Sequence, residues 1–474
     1  MASATLSLGS AGYDLLEAIS SPENSQLSVK KSGKSHQIKS TTTDNTIDGL
    51  GIITSAALNH QDPDFESWEP KVGSTPQNDF LGKDNVNIFA NVSDFQAALG
   101  YDADTLNIFG NVSGSTIELD SSNLVGNFSD ILNIQGSLNS FDGDSSSVDN
   151  EIYAGSGNDT IRIAGSAENS NIFLGTGNDS ITIGGNATNV DIKGDEDYLN
   201  NGNDYIEFRG VAKDVRVQSG GGNDTVIFSK GLYSDISDLA SDFTYSNSYS
   251  TPLSGLAAVE LGSGNDSLVL GKGGYLNATF NTGSGTDTVS IGSGDFNNVK
   301  FQLDGDWETN SLGWNYSNFE GGDKLTTAAN SLFTSSEFSS NNSLGDTLVF
   351  GSVNIFDNTN FYLGDGDDSI VFGSGSVFND STISTGYGAD TIVFGSSSIF
   401  NGNFNLDLGN DYAVDVVKFG VNNQFLPNDL TSEFRIIGAG DNDMLFVGAQ
   451  AYRYDTSYDT WVIEGNDSLS YNQR

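Results

Sequence analysis

No cysteine occurs among the 474 residues, which excludes a disulfide framework, a thiolate metal site and a cysteine nucleophile. Histidine is almost missing as well. The 2 present, His36 and His60, both precede the repetitive part of the chain, and a catalytic triad or an imidazole metal centre needs histidine. Neither a Gly-x-Ser-x-Gly elbow nor a His-Glu-x-x-His motif is found, so the hydrolases built on those devices have no residues to use. Basic residues number 19 against 63 acidic ones, a formal net charge of −44. That balance repels nucleic acid and anionic membranes and attracts cations. No run approaches the ~20 consecutive apolar residues of a membrane span. The start, MASATLSLGSAGYDLLEAIS, has no basic n-region leading into an unbroken apolar stretch, so no cleavable Sec-type leader is expected.

What the chain does contain is a pattern, and it begins near residue 80. Before it, residues 1–80 hold most of the 6 prolines, Lys30, Lys31, Lys34 and Lys39, and polar runs such as KSTTTDNT. This segment reads as a loosely ordered arm for assembly or anchoring, with one short helix over Asp14–Ile19. From residue 81 to 474 a glycine-rich acidic turn leads repeatedly into a short strand of alternating apolar and polar residues. AGSGNDTIRI at Ala154–Ile163 returns as LGTGNDSITI at Leu174–Ile183. Fully formed turns place aspartate at 159, 179, 204, 224, 266, 287, 368 and 390, in steps of 20, 25, 20, 42, 21, 81 and 22. The step of 42 reads as two rungs, one of which has lost its acid. Within the step of 81 lie weaker copies at Asp323 and Asp346, and others surround Asp104, Asp130, Asp443 and Asp467. A fixed period of this size is the signature of a solenoid, whose rungs complete each other's core. The expected fold is all-β: an elongated parallel β-roll or β-solenoid with about 20–22 residues per rung.

Each rung contains a second, different turn. GSVNIFDNTNFYL from Gly351, GSGSVFNDSTIST from Gly373 and GSSSIFNGNFNLD from Gly395 carry phenylalanine where the first turn carries glycine and aspartate. These rings read as core filling, which makes one edge acidic and leaves the other dry, held by packing and by Asn or Ser hydrogen bonds.

The acidic turns resemble the calcium-binding nonapeptide of the repeats-in-toxin (RTX) family, Gly-Gly-x-Gly-x-Asp-x-apolar-x. Gly155, Gly157 and Asp159 fall on the second glycine, third glycine and aspartate, and so do Gly175, Gly177 and Asp179. The register recurs at Gly220, Gly222 and Asp224; Gly262, Gly264 and Asp266; and Gly283, Gly285 and Asp287. It recurs again at Gly364, Gly366 and Asp368 and at Gly386, Gly388 and Asp390, while Asp204 keeps only Gly202. The resemblance implies multiple Ca²⁺ ions between stacked turns, held by aspartate carboxylates and backbone carbonyls. Hard cations take six to eight oxygens, and glycine lets the chain bend its carbonyls inward. Where the family runs nonapeptides in tandem, this chain shows the motif about once in two, which implies a row of calcium turns along one edge only.

The function that follows from the resemblance is a secreted, calcium-binding structural protein that self-assembles into a bacterial surface layer, extracellular matrix or filament. Its expected location is extracellular or cell-surface, by type I secretion with an uncleaved signal, and residues 445–474 read as a cap and secretion signal. No catalytic residue is assigned. Two alternatives rest on an insertion around 303–345, where Asp304, Asp306 and Glu308 stand beside Trp307 and Trp314. One is a calcium-dependent adhesin that binds a cell-surface glycan; the other is a polysaccharide-modifying β-helix enzyme working through paired carboxylates.

Overall fold

The structure, a computed structural model, describes residues 103–120, 128–140, 150–195, 202–235, 257–303, 321–340, 344–426 and 433–457. It also describes short strands within 2–59, residues within 85–98, and 460–463. The described residues divide into two compact units, one ending at Gly221 and the other beginning at Gly222.

The first unit is a parallel β-solenoid. Four-residue strands follow the acidic turns and stack in register: Thr105–Ile108, Ile131–Ile134, Thr160–Ile163, Ser180–Ile183 and Tyr205–Phe208. Thr-Ile-Arg-Ile and its variants fold this way because β-branched residues suit the pleat and the period of two puts their apolar members on one side. The second and fourth residues, such as Ile161 and Ile163, are buried, and the first and third face out. Opposite them runs a second parallel ladder through Thr116–Glu118, Asn150–Ser156, Ala167–Thr176, Ala187–Lys193 and Ala212–Gln218. Of the N-terminal segment, Asn45–Leu50 pairs parallel with Asn85–Phe89, and Ala2–Ser7 with Asn45–Leu50. Glu17–Ser20 is a strand antiparallel to Ala2–Ser7, where the sequence suggests the end of a helix, and residues 14–16 lie outside the described residues.

The second unit repeats the plan. Its turn-following strands are Thr225–Phe228, Ser267–Leu270, Thr288–Ile291, Lys324–Thr327, Thr347–Phe350, Ser369–Phe372, Thr391–Phe394, Val416–Phe419 and Met444–Val447. After Val447 the chain reverses, and Gln450–Asp455 and Thr460–Ile463 close the ladder with antiparallel pairs. Residues 464–474, with Asp467, lie outside the described residues.

The step of 42 is corrected by this register. Thr225–Phe228 pairs directly with Ser267–Leu270, so Asp224 and Asp266 belong to adjacent rungs and no acid has been lost. The additional length is an insertion within one rung, a solution that leaves the strand register untouched. The step of 81 divides as expected, with Asp323 and Asp346 heading paired strands. Residues 321–340 join the ladder, whereas Asp304, Asp306, Glu308, Trp307 and Trp314 lie outside the described residues.

Phenylalanine fills the core of the second unit. Phe333, Phe356, Phe378 and Phe400 stack at centroid spacings of 5.4, 5.1 and 5.0 Å. Phe350, Phe372 and Phe394 meet them edge-on from the opposite ladder, a geometry that aromatic quadrupoles favour. The dry edge is held as expected. Ser376 Oγ donates to the Gly373 carbonyl at 2.7 Å, Ser398 Oγ to that of Gly395 at 2.9 Å, and the Ser331 N–H donates to Asn354 Oδ1 at 2.8 Å.

Candidate cation edge

The acidic turns of successive rungs lie one above another. Their glycines make this possible. The pairs 155/157, 175/177, 220/222, 262/264, 283/285, 364/366 and 386/388 all have positive φ, a region that costs glycine little. A methyl group on Gly177 would also collide with the Gly157 carbonyl below it. Gly202 differs: it lies outside the positive-φ set, on a turn that has been lengthened.

The aspartates form a continuous hydrogen-bonded column within each unit. In the first, the backbone N–H of Asp104 donates to Asp130 Oδ1 at 2.6 Å, Asp130 to Asp159 at 2.7 Å, Asp159 to Asp179 at 2.6 Å and Asp179 to Asp204 at 2.8 Å. In the second the column runs from Asp224 through Asp266, Asp287, Asp323, Asp346, Asp368 and Asp390 to Asp415 and Asp443, at 2.7–2.9 Å throughout. In several rungs the residue before the aspartate does the reverse. Asn178 N–H donates back to Asn158 Oδ1 at 2.8 Å, and Asn203 to Asn178 at 2.6 Å. The recurring Asn-Asp pair is thus two ladders of opposite polarity, the asparagines exposed and the aspartates buried.

One carboxylate oxygen caps a neighbour, and in five members the other is left over. The Oδ2 atoms of Asp130, Asp159, Asp179, Asp266 and Asp368 are buried without a hydrogen-bond partner. A buried charged oxygen without a donor is strongly unfavourable, and the acidities register it. Burial, opposed by the backbone N–H each accepts, pushes Asp130 and Asp266 up to about 9, Asp179 and Asp368 to about 8 and Asp159 to about 7. The charged neighbours that raise them further are other aspartates.

Three members were not identified from the sequence. Asp415 continues the column, but its turn, GNDYAVD, separates the Gly-Asn-Asp from the strand and disguises the register. Asp120 and Asp195 occupy positions where the repeat has glycine: a methyl group on Gly155 would meet the Asp120 Cβ at 2.5 Å and one on Gly220 the Asp195 Cβ at 2.9 Å. A strand followed by Leu-Asp or Gly-Asp, ahead of a lengthened turn, was the available signal.

All donors on this edge are oxygens, carboxylate and backbone carbonyl, a set suited to hard cations and unsuited to thiophilic ones. Among the described residues no three Asp, Glu or His side chains converge on one point. A cation here would therefore be held by one or two carboxylates together with carbonyls of the stacked turns, and the leftover Oδ2 atoms fit that role. Among the described residues no helix is long and apolar enough to cross a membrane.

No family model matches this chain, and no curated protein is similar to it. Among solved structures, it is similar to the X-ray crystal structure of a hyperactive, Ca²⁺-dependent, β-helical antifreeze protein from an Antarctic bacterium. The two are 17% identical over 79% of this chain and 81% of that one, with a TM-score of 0.35. Likeness at this level says nothing about function, and the fold stated above rests on the strand register.

Proposed function

We propose that the acidic edge binds a row of Ca²⁺ ions and that the protein is a secreted, calcium-stabilised structural solenoid without enzymatic activity. The observation that carries this reading is the buried aspartate column with its leftover oxygens. Asp130, Asp159, Asp179, Asp266 and Asp368 each set a carboxylate oxygen in a dry place without a donor, on rungs ~4.8 Å apart, and a divalent cation would turn the repulsion between them into attraction. When bound, calcium supplies charge neutralisation and cross-linking of adjacent turns. The residues that would hold it are Asp159, Asp179, Asp204, Asp224, Asp266, Asp287, Asp368 and Asp390 of the RTX-like turns, with the carbonyls of their glycines. The column in the structure extends the set to Asp104, Asp130, Asp323, Asp346, Asp415 and Asp443. In this reading metal binding contributes directly to folding free energy, so the chain stays soft where calcium is scarce and stiffens outside the cell. Self-association into a surface layer, matrix or filament is the role that such a repeat body suits.

The test is a calcium titration from chelator, followed by far-ultraviolet circular dichroism with light scattering on the same sample. The reading expects a cooperative gain of β signal, with scattering rising as copies assemble. A β signal complete in chelator and indifferent to calcium would sink it; a gain without scattering would leave a metal-dependent fold and remove the assembly.

A further inference from the structure

Among the described residues, the turns leading to Asp130 and Asp204 carry aspartate where the repeat has the first glycine of its Gly-x-Gly pair. By register Asp195 stands level with Gly175 and Gly220, because Lys193 pairs with Phe173 and with Gln218. Asp120 stands level with Gly155, because Glu118 pairs with Tyr153. Both open lengthened turns: Asp195 precedes its column aspartate, Asp204, by 9 residues and Asp120 precedes Asp130 by 10, whereas Gly175 precedes Asp179 by 4. The longer turn removes the need for a positive φ, and neither aspartate has one. The position is then free to carry a side chain.

That side chain points into the edge. Asp195 Oδ2 accepts the Gly202 N–H at 2.8 Å, and the backbone N–H groups of Gly177 and Gly221 favour its ionised form. Gly177 lies two residues before Asp179, on the neighbouring turn. Asp195 Oδ1 is buried without a hydrogen-bond partner, as is Asp179 Oδ2, and the two residues are 6% and 2% exposed. Gly202, whose N–H the Asp195 carboxylate holds, packs on the turn of Asp179: a methyl group there would lie 1.8 Å from the Gly177 carbonyl oxygen and 3.3 Å from Asp195 Oδ2. Gly194 keeps side-chain atoms out of the space before Asp204, since a methyl group there would come within 2.5 Å of Asp204 Oδ2. Burying two carboxylate oxygens without donors on adjacent turns is costly; a shared cation reverses the sign.

We propose that Asp195 adds its carboxylate to the level of Asp179 and makes there a site for an oxygen-seeking divalent cation, tighter than the levels of the same edge whose equivalent position is glycine. The proposal rests on the cation reading of the edge and adds to it a residue outside the repeat motif. Charge count is a main determinant of affinity at oxygen sites. Asp120 is a second aspartate at the glycine level, on the rung before Gly155.

The experiment is calorimetric titration of the full-length chain with calcium alone, comparing wild type with D195N and D195G. D195N keeps an acceptor for the Gly202 N–H, and D195G restores the glycine of the repeat, so at least one preserves the turn; circular dichroism in excess calcium identifies which. The expected result is that one tight ion per chain weakens at least tenfold while the remaining binding is unchanged. A folded variant that titrates like wild type overturns the Asp195 site and leaves the edge as a whole intact. A wild-type chain that binds no calcium overturns both.

Discussion

Each column aspartate assigns its two oxygens different work, and substitution can separate them. Asp368 Oδ1 caps the Asp346 N–H at 2.7 Å while Oδ2 has no donor. Asp368→Asn keeps the cap and removes the cost of protonating the buried acid on folding, so near neutral pH the metal-free protein gains thermal stability and the calcium response at that level is lost. Asp368→Ala instead strands a buried N–H, a loss of about 1–3 kcal/mol. Thermal unfolding of both variants, in chelator and in calcium, checks the pair; equal effects of Asn and Ala would show that the cap does not matter. Gly177 carries a second residue-scale expectation. Its φ of +127° and the Gly157 carbonyl beneath it leave no room for a side chain, so Gly177→Ala lowers the unfolding midpoint, by an amount corresponding to about 1–3 kcal/mol. At this scale the sequence was highly legible, since Gly-x-Gly-Asn-Asp specifies both the turn and the acid. Asp120 and Asp195 were missed because their backbone no longer needs glycine.

At the scale of elements, strand and core follow from alternation. The apolar second and fourth residues after each turn predicted the buried side correctly, and phenylalanine in the second turn predicted core filling. Phe356 is surrounded by rings, with Phe333 and Phe378 stacked on its faces and Phe350 and Phe372 meeting it edge-on. Phe356→Ala therefore opens a cavity in a region that cannot collapse without disturbing several rungs, and a loss of about 3–5 kcal/mol is expected in chemical denaturation. Rung length was the weaker inference. Regular spacing suggested that a double step must hide a lost turn, but a solenoid fixes only which residues pair and tolerates any length of chain bulging between them. The pairing of Asp224 with Asp266 across 42 residues shows this directly.

The whole molecule inherits the sum of these buried acids. Ordinary aspartates titrate near 3.8, as they do in the unfolded chain, whereas Asp130, Asp179, Asp266 and Asp368 are held at about 8 to 9. Between those values the metal-free folded state binds more protons than the unfolded one, so its stability falls as pH rises from about 4 toward 9. Calcium requires the ionised form, so its binding releases protons and strengthens with pH. Melting in chelator at pH 5 and pH 8 should give the higher midpoint at pH 5, with the order narrowed or reversed in calcium; a chelator midpoint that climbs with pH would contradict the column's acidities. The column also has a direction. Each column aspartate N–H from Asp224 to Asp415 is finished by the carboxylate of the following rung, whereas the Asp443 N–H turns back to the Gly440 carbonyl of its own turn at 3.4 Å. Removing a rung from the front costs its successor only a donor that water can replace, whereas removing one from the back orphans the rung before it. The solenoid is a queue in which each member waits on the one behind, and the last described turn is the one that can stand without a successor.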